Sequence, residues 1–344
     1  MALEIAPEIT RKTAFIGECM IELQKKADGS IHQAFGGDTF NSAAYFSRLG
    51  KGFGITAEYV SAIGDDNFSR GLRAFWDAEN VASSLTRPIL GRRPGLYFIE
   101  VDETGERSFT YWRGEAAARD AFTGPESDAV LEGLALFDAV YLSGISLAIL
   151  RQPGRERLLA RLRELQNTTG LRVFFDCNFR PNLWTDFSQN LETTNVSGGN
   201  TPAENARPWY EKTIALADIV FISFDEIAAL GFSPDVGPGL VCAAIRDLGA
   251  AEAVVKNGGN ACVVAYADNV ETVRAHAAAK VTDTTAAGDS FAAAYLMSRR
   301  LGCPPADAAM RAHILAATVI SYTGAIIPQT AMPDLFPDKP RQTR

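Results

Sequence analysis

Val281-Thr282-Asp283-Thr284-Thr285-Ala286-Ala287-Gly288-Asp289-Ser290-Phe291 changes backbone character within eleven residues. A β-branched, extended start runs into small residues, and an Ala-rich helix follows from about residue 288. Small residues let backbone N–H groups approach an anion, and a helix N-terminus adds partial positive charge. Such a cradle suits a phosphoryl group carrying transition-state charge. Asp289 stands at the helix start, where a carboxylate can accept a proton from an attacking hydroxyl. The plainer alternative is an Asp in an ordinary first turn, stabilised by the helix dipole.

Upstream of this segment the chain alternates strand and helix from residue 137. Strands are expected at 138–142, 171–176, 218–222, 252–256 and 261–265, and helices at 153–166, 208–216, 225–231 and 238–249. Helices 288–301 and 305–321 close the unit. Strands separated by helical stretches mean βαβ units and a mainly parallel sheet. The N-terminal part reads as a buried strand Thr13–Gly17 continued by Glu22-Leu23, a helix from Gly37 to Leu49, a strand Val60–Gly64 and a helix Phe68–Asn80. Between 95 and 113, the β-rich runs Leu96–Val101 and Arg107–Arg113 flank Asp102-Glu103-Thr104-Gly105, a hairpin pattern. These early strands look like a small β appendage on a large α/β body. The polar stretch 185–207 reads as a solvated insertion.

Composition narrows the function. The 344 residues carry 41 acidic and 33 basic side chains, a net charge of −8, against a polybasic nucleic-acid or membrane surface. An anionic substrate would need its positive charge concentrated locally. No run of about 18 apolar residues occurs, and residues 1–13 lack the apolar centre of a signal peptide. Five scattered cysteines without a C-x-x-C fit reduced thiols in the cytoplasm. Three separated histidines argue against a tetrahedral zinc site. The sequons at Asn167 and Asn195 are then chance matches.

Other glycine-rich segments differ in meaning. No G-x-x-x-x-G-K-[ST] loop exists. Gly50-Lys51-Gly52-Phe53-Gly54 follows a helix and reads as a connection to the next strand. Phe35-Gly36-Gly37-Asp38-Thr39-Phe40-Asn41 is a second small-residue entry to a helix. Its glycines permit close approach to a ligand, and Asn41 offers hydroxyls a donor and an acceptor. A turn with Asp38 or Thr39 as N-cap fits equally well.

Gly36-Gly37 with Asn41, and Asp283 to Phe291, resemble the two signatures of the ribokinase-like (PfkB) carbohydrate kinases, a resemblance that runs from about residue 13 to 333. Within the family the chain is most similar to the branch acting on 2-keto-3-deoxygluconate. Ile16–Leu23, Pro94–Tyr97, Tyr111-Trp112-Arg113, Leu142–Leu150 and Gly324–Pro328 carry that likeness. The resemblance implies a three-layer α/β/α sandwich with a small β-sheet lid built from about 20–36 and 95–113. It implies transfer of the ATP γ-phosphate to a sugar hydroxyl with Mg²⁺, a monovalent cation being a further candidate, in sugar-acid catabolism. It also implies dimerisation through the lid, since exposed sheet edges pair readily.

Site residues carry over by position. Asp289 matches the family's catalytic base, and Ala286, Ala287 and Gly288 its anion hole. The family has Gly at position 286; with positive φ there, Ala costs about 1 kcal/mol. Gly37 and Asn41 fall on the sugar-hydroxyl site, Tyr97, Tyr111 and Arg113 on the lid, and Ile145 and Arg180 beside the sugar. A guanidinium fork binds a carboxylate bidentately, so two arginines suit a sugar acid; surface ion pairs are the alternative for each. Asn178 and Arg180 match positions near the phosphates. Ser223 and Glu226 fall on the family's Asn-x-x-Glu, which organises Mg²⁺ through water, with Ser in place of Asn. Lys256, Gly258, Asn260 and Ala261 match the nucleotide loop. His313 matches an adenine-pocket position, or is an ordinary half-buried helix histidine. A neutral-sugar kinase and a non-catalytic sugar-binding relative are the competing readings. Pure binding needs no base, and a dehydrogenase would need a strand-linked G-x-G-x-x-G.

Overall fold

The computed structural model describes residues 11–26, 28–101, 107–185, 200–233 and 235–339. The expected turn Asp102–Gly105, most of the 185–207 insertion with its Asn195 sequon, and the first ten residues lie outside the described residues. Fifteen strands are described: β1 (Arg11–Ile16), β2 (Met20–Lys25), β3 (Ile31–Gly36), β4 (Ile55–Val60), β5 (Ala62–Ile63), β6 (Val81–Ala82), β7 (Arg87–Pro88), β8 (Leu96–Val101), β9 (Arg107–Trp112), β10 (Ala139–Ser143), β11 (Arg172–Asp176), β12 (Ile219–Ser223), β13 (Glu252–Lys256), β14 (Cys262–Tyr266) and β15 (Asn269–Val273). The α-helices are α1 (Asp38–Gly50), α2 (Asn67–Ala78), α3 (Asp128–Gly133), α4 (Gly144–Ile149), α5 (Gln152–Thr169), α6 (Pro202–Ile214), α7 (Pro238–Asp247), α8 (Ala287–Arg300) and α9 (Pro305–Val319).

Nine strands form one sheet in the order β15-β14-β13-β12-β11-β10-β1-β4-β6. From β13 to β6 neighbours pair in parallel, and β14 and β15 add an antiparallel edge. Central strands such as Val173-Phe174-Phe175 and Val220-Phe221-Ile222 are buried throughout, as strands covered on both faces must be. Alternate residues feed two cores. Val140, Phe175 and Val220 pack with the leucines of α5, while Tyr141, Phe174 and Phe221 pack with Phe46 of α1 and Tyr295 of α8. Helix layers on both faces make the α/β/α sandwich expected from the sequence.

A separate four-stranded sheet, β3-β2-β8-β9, stands apart from the main one. The strand expected to continue from Thr13–Gly17 into Glu22 is therefore two strands in two sheets. The chain leaves the main sheet at Gly17, where a Cβ would lie 2.1 Å from Thr39 Oγ1. Other expectations shift too. The strand placed at 60–64 lies at Ile55–Val60, with only Ala62–Ile63 beyond Ser61. Residues 202–207, assigned to the insertion, open α6, because Thr201 and Glu204 form a reciprocal capping box. The helix at 225–231 is a 3-10 segment, Phe224–Leu230, closed by Gly231 at φ 83°. β15, α3 and α4 had no clear signal in the sequence. The connection 51–54 forms turns between α1 and β4, as read.

No helix among the described residues is long and apolar enough to cross a membrane. All five cysteines are buried and unbridged.

Candidate active site

Parallel strands deliver their C-terminal residues to one edge of the sheet, where open α/β sheets bind ligands. Ser143 and Asp176 are register partners there, as are Ser223 and Lys256. The N-termini of α1 and α8 meet at the same edge. Asn41 Nδ2 donates to Asp289 Oδ2 at 2.8 Å, and Ser42 Oγ donates to the Asp289 carbonyl at 3.1 Å. The two sequence motifs, 248 residues apart, thus share one hydrogen bond. Asn41 Oδ1 is buried and has no partner, leaving an acceptor for a hydroxyl.

Helix α8 opens without a side-chain cap, and Ala286, its N-cap, adopts the left-handed region at φ 60°. First-turn amides of a helix have no intrahelical acceptor. The amide of Ala287 turns back to the Thr284 carbonyl at 3.2 Å, so it is partly used within the loop. Gly288 is the position where a side chain would matter, since a Cβ there would sit 3.4 Å from Lys256 Nζ. Lys256 therefore brings its ammonium group to the α8 N-terminus. It is held by an ion pair to Asp176 Oδ2 at 2.8 Å. Burial lowers the lysine's proton affinity, but Asp176 and Glu226 outweigh it and raise the pKa above the ordinary value.

Carboxylates crowd this edge. Desolvation pushes the Asp289 pKa up to about 7, the negative charge of Asp38 adds to it, and the Asn41 hydrogen bond opposes it. Asp38 is raised as well, by burial first, while hydrogen bonds from Ser143, Thr39 N–H and Asn178 pull it back. Asn178 Nδ2 reaches Asp38 Oδ2 at 2.9 Å and its own amide donates to Asp176 Oδ1 at 3.2 Å, a geometry reached with φ 30°. A carboxyl titrating near neutrality can take up a proton at physiological pH, which is what a general base requires.

The small sheet adjoins this edge through β3, which ends at Gly36 just before α1. Tyr97 stacks near Tyr111 with ring centroids 5.9 Å apart, and its hydroxyl donates to Glu22. Gly37 lies where a Cβ would strike the Glu18 carbonyl at 2.2 Å, so only glycine allows this close passage. Arg113 is buried and ion-paired with Glu18. Arg180 pairs instead with Glu226 at 3.2 Å and is 55% exposed. The two arginines share no partner. Ile145 sits in the first turn of α4, between the two serines of the Ser143–Ser146 capping box.

On the far side of Lys256, Gly258 at φ 53° makes the turn that carries exposed Asn260 toward β14, with Ala261 half-buried beside it. Ser223 ends β12 and caps nothing with its side chain. His313 packs edge-on against Phe291 at 5.0 Å; burial lowers its pKa, and Nε2 is left without a partner. Glu226 is raised to about 7, chiefly by desolvation, and its Oε2 is a buried orphan. An orphaned carboxylate oxygen beside Lys256 and Arg180 fits a hydrated divalent cation. No group of three or more His, Cys, Asp or Glu side chains is arranged to hold a metal ion among the described residues, and a hard cation that keeps its waters needs no such cage.

Sequence reasoning weighed Asp38 only as a helix cap and passed over Glu18, Glu22, Ser143 and Asp176. Asp176 had a signal: a carboxylate ending the apolar run Val173-Phe174-Phe175. The Glu18 and Asp38 contacts are long-range and had none.

Residues 10–332 match the pfkB family of carbohydrate kinases. A 2-dehydro-3-deoxygluconokinase from Escherichia coli K12 is 44% identical over 329 residues, covering 94% of this chain and all of the relative. A Haemophilus influenzae protein of the same name is 34% identical over 327 residues, 94% of this chain and 98% of its own. Among solved structures, a fructokinase from Xylella fastidiosa with bound ATP superposes with a TM-score of 0.74 at 22% identity, covering 95% of this chain and 98% of that one.

Proposed function

The chain belongs to the pfkB family of carbohydrate kinases, and from that we propose that it transfers the γ-phosphate of ATP to the 6-hydroxyl of 2-keto-3-deoxygluconate. The product is 2-keto-3-deoxy-6-phosphogluconate. The observation that carries the chemistry is the Asp289 carboxyl, held by Asn41 at the α8 N-terminus with its pKa near 7. The near-full-length identity to a 2-dehydro-3-deoxygluconokinase supports the substrate.

In this reading Asp289 takes the hydroxyl proton as the oxygen attacks phosphorus. The α8 amides and Lys256 face the charge that builds on the transferring group. Asn41, Gly37, Ile145 and the tyrosines of the small sheet hold the sugar, and Arg113 meets its carboxylate. Asn178, Ser223, Arg180 and the 256–261 loop serve the phosphates, and His313 Nε2 offers the base an acceptor. Glu226 would hold Mg²⁺ through water, and the ion supplies charge neutralisation on the phosphate oxygens. The small sheet acts as a lid over the body formed by 13–333. Exposed Ile31, Phe109 and Trp112 on its outer strands support pairing with a second copy. Buried, unbridged thiols support a cytoplasmic setting.

A coupled ADP-release assay across sugar acids and neutral sugars tests this. With Arg113 alone on the carboxylate the keto-deoxy acid should exceed fructose and ribose by about tenfold in kcat/KM, and by a hundredfold or more if Arg180 binds it as well. Comparable values reject the sugar-acid assignment.

A further inference from the structure

Glu18 lies in the short crossing from β1 of the main sheet to β2 of the small one, and is 3% exposed. The other crossings between the two sheets converge on it. Entry to α1 passes its carbonyl, where a Cβ on Gly37 would sit 2.2 Å away. Entry to β8 passes its carboxylate, where a Cβ on Gly95 would sit 2.5 Å from Oε1. The exit from β9 places Arg113 on Oε2. Two glycines thus make room for one buried carboxylate and its guanidinium.

The pair is incomplete as a purely structural device. Glu18 Oε1 and Arg113 Nε are both buried and both lack a hydrogen-bond partner. Buried ion pairs stabilise little over an apolar pair of similar shape, and orphaned donors add a desolvation cost. What the pair does supply is a guanidinium with a defined orientation, backed by the Tyr111 ring 6.0 Å away.

We propose that Glu18 is a positioning residue for the sugar site: its carboxylate orients Arg113 so that the remaining N–H groups of the guanidinium donate to the carboxylate of an acid sugar. The inference rests on the sugar-acid reading above. Glu18 then governs affinity for the acid sugar and discrimination against neutral ones, and leaves phosphoryl transfer to Asp289.

The test is a double-mutant cycle with 2-keto-3-deoxygluconate and ATP as the varied substrates. Glu18→Gln keeps the shape and removes the charge. Its KM for the acid sugar should rise about tenfold, with kcat and the ATP KM within twofold of wild type. Added to Arg113→Ala, it should raise the sugar KM no further. An unchanged sugar KM, a loss confined to kcat, or full additivity with Arg113→Ala overturns the proposal. If Glu18→Gln does not fold, Glu18→Asp keeps the charge and retracts it by one carbon; a sugar KM equal to wild type in that variant also overturns it. Wild-type inactivity on the acid sugar would remove the substrate reading and this proposal with it. An active wild type with an indifferent Glu18 removes the proposal alone.

Discussion

Replacing Asp289 with Asn separates what the carboxyl does for catalysis from what it costs the fold. The amide keeps the size and can still accept from Asn41 Nδ2. Burial and the charge of Asp38 move the carboxyl's pKa from 3.8 to about 7. The folded protein therefore holds this proton to higher pH than the unfolded chain. Its contribution to stability falls as pH rises from about 4 to 7 and is constant above. At about 1.4 kcal/mol per tenfold in proton affinity, the carboxylate costs on the order of 4 kcal/mol at pH 8 and about 1 kcal/mol at pH 4.5. Asn carries no charge and escapes both. For a chain of 344 residues, Asp289→Asn should melt about 5 °C higher than wild type at pH 8, and only about 1 °C higher at pH 4.5. Over the same series kcat should fall by two to four orders of magnitude, roughly the worth of a positioned base. Calorimetric melts at the two pH values, with ADP-release kinetics at pH 8, measure both. An equal melting difference at both pH values refutes the raised proton affinity. Turnover near wild type refutes the base.

Two further substitutions probe the anion cradle. Lys256→Met removes the ammonium group beside Gly288 and should lower kcat/KM for ATP at least tenfold. It also strands Asp176, so Lys256→Met with Asp176→Asn should regain a few kcal/mol of stability in melts without regaining activity; recovered activity would contradict the cradle role. Ala286→Gly relieves an L-residue at φ 60° and should stabilise the protein by up to about 1 kcal/mol; a lower melting temperature would show that the loop, not the residue, sets that conformation.

The sequence determined most of the elements and their order, though not the break between β1 and β2, nor β15, α3 and α4. Short apolar runs of β-branched and aromatic residues such as Val173-Phe174-Phe175 suit strands buried on both faces, and helical stretches between them point to parallel pairing. The small-residue entries at Gly36-Gly37 and Ala286–Gly288 were legible for the same reason: they are local, and backbone approach depends on side-chain size at those positions. Tertiary structure decided what local pattern cannot carry. Gly17 divides what reads as one strand between two sheets, because Thr39 from α1 occupies the space a side chain would need. Asp38 looks like a helix cap, yet Ser143 and Asn178 from distant segments hydrogen-bond its carboxyl, and its charge raises the pKa of Asp289. Arg113 and Arg180 look alike in sequence, but one is buried against Glu18 and the other lies exposed on Glu226. Proton affinity, ion pairing and the orientation of a guanidinium depend on polar and charged groups brought together across 46 to 248 residues of chain, and only the folded packing fixes those separations.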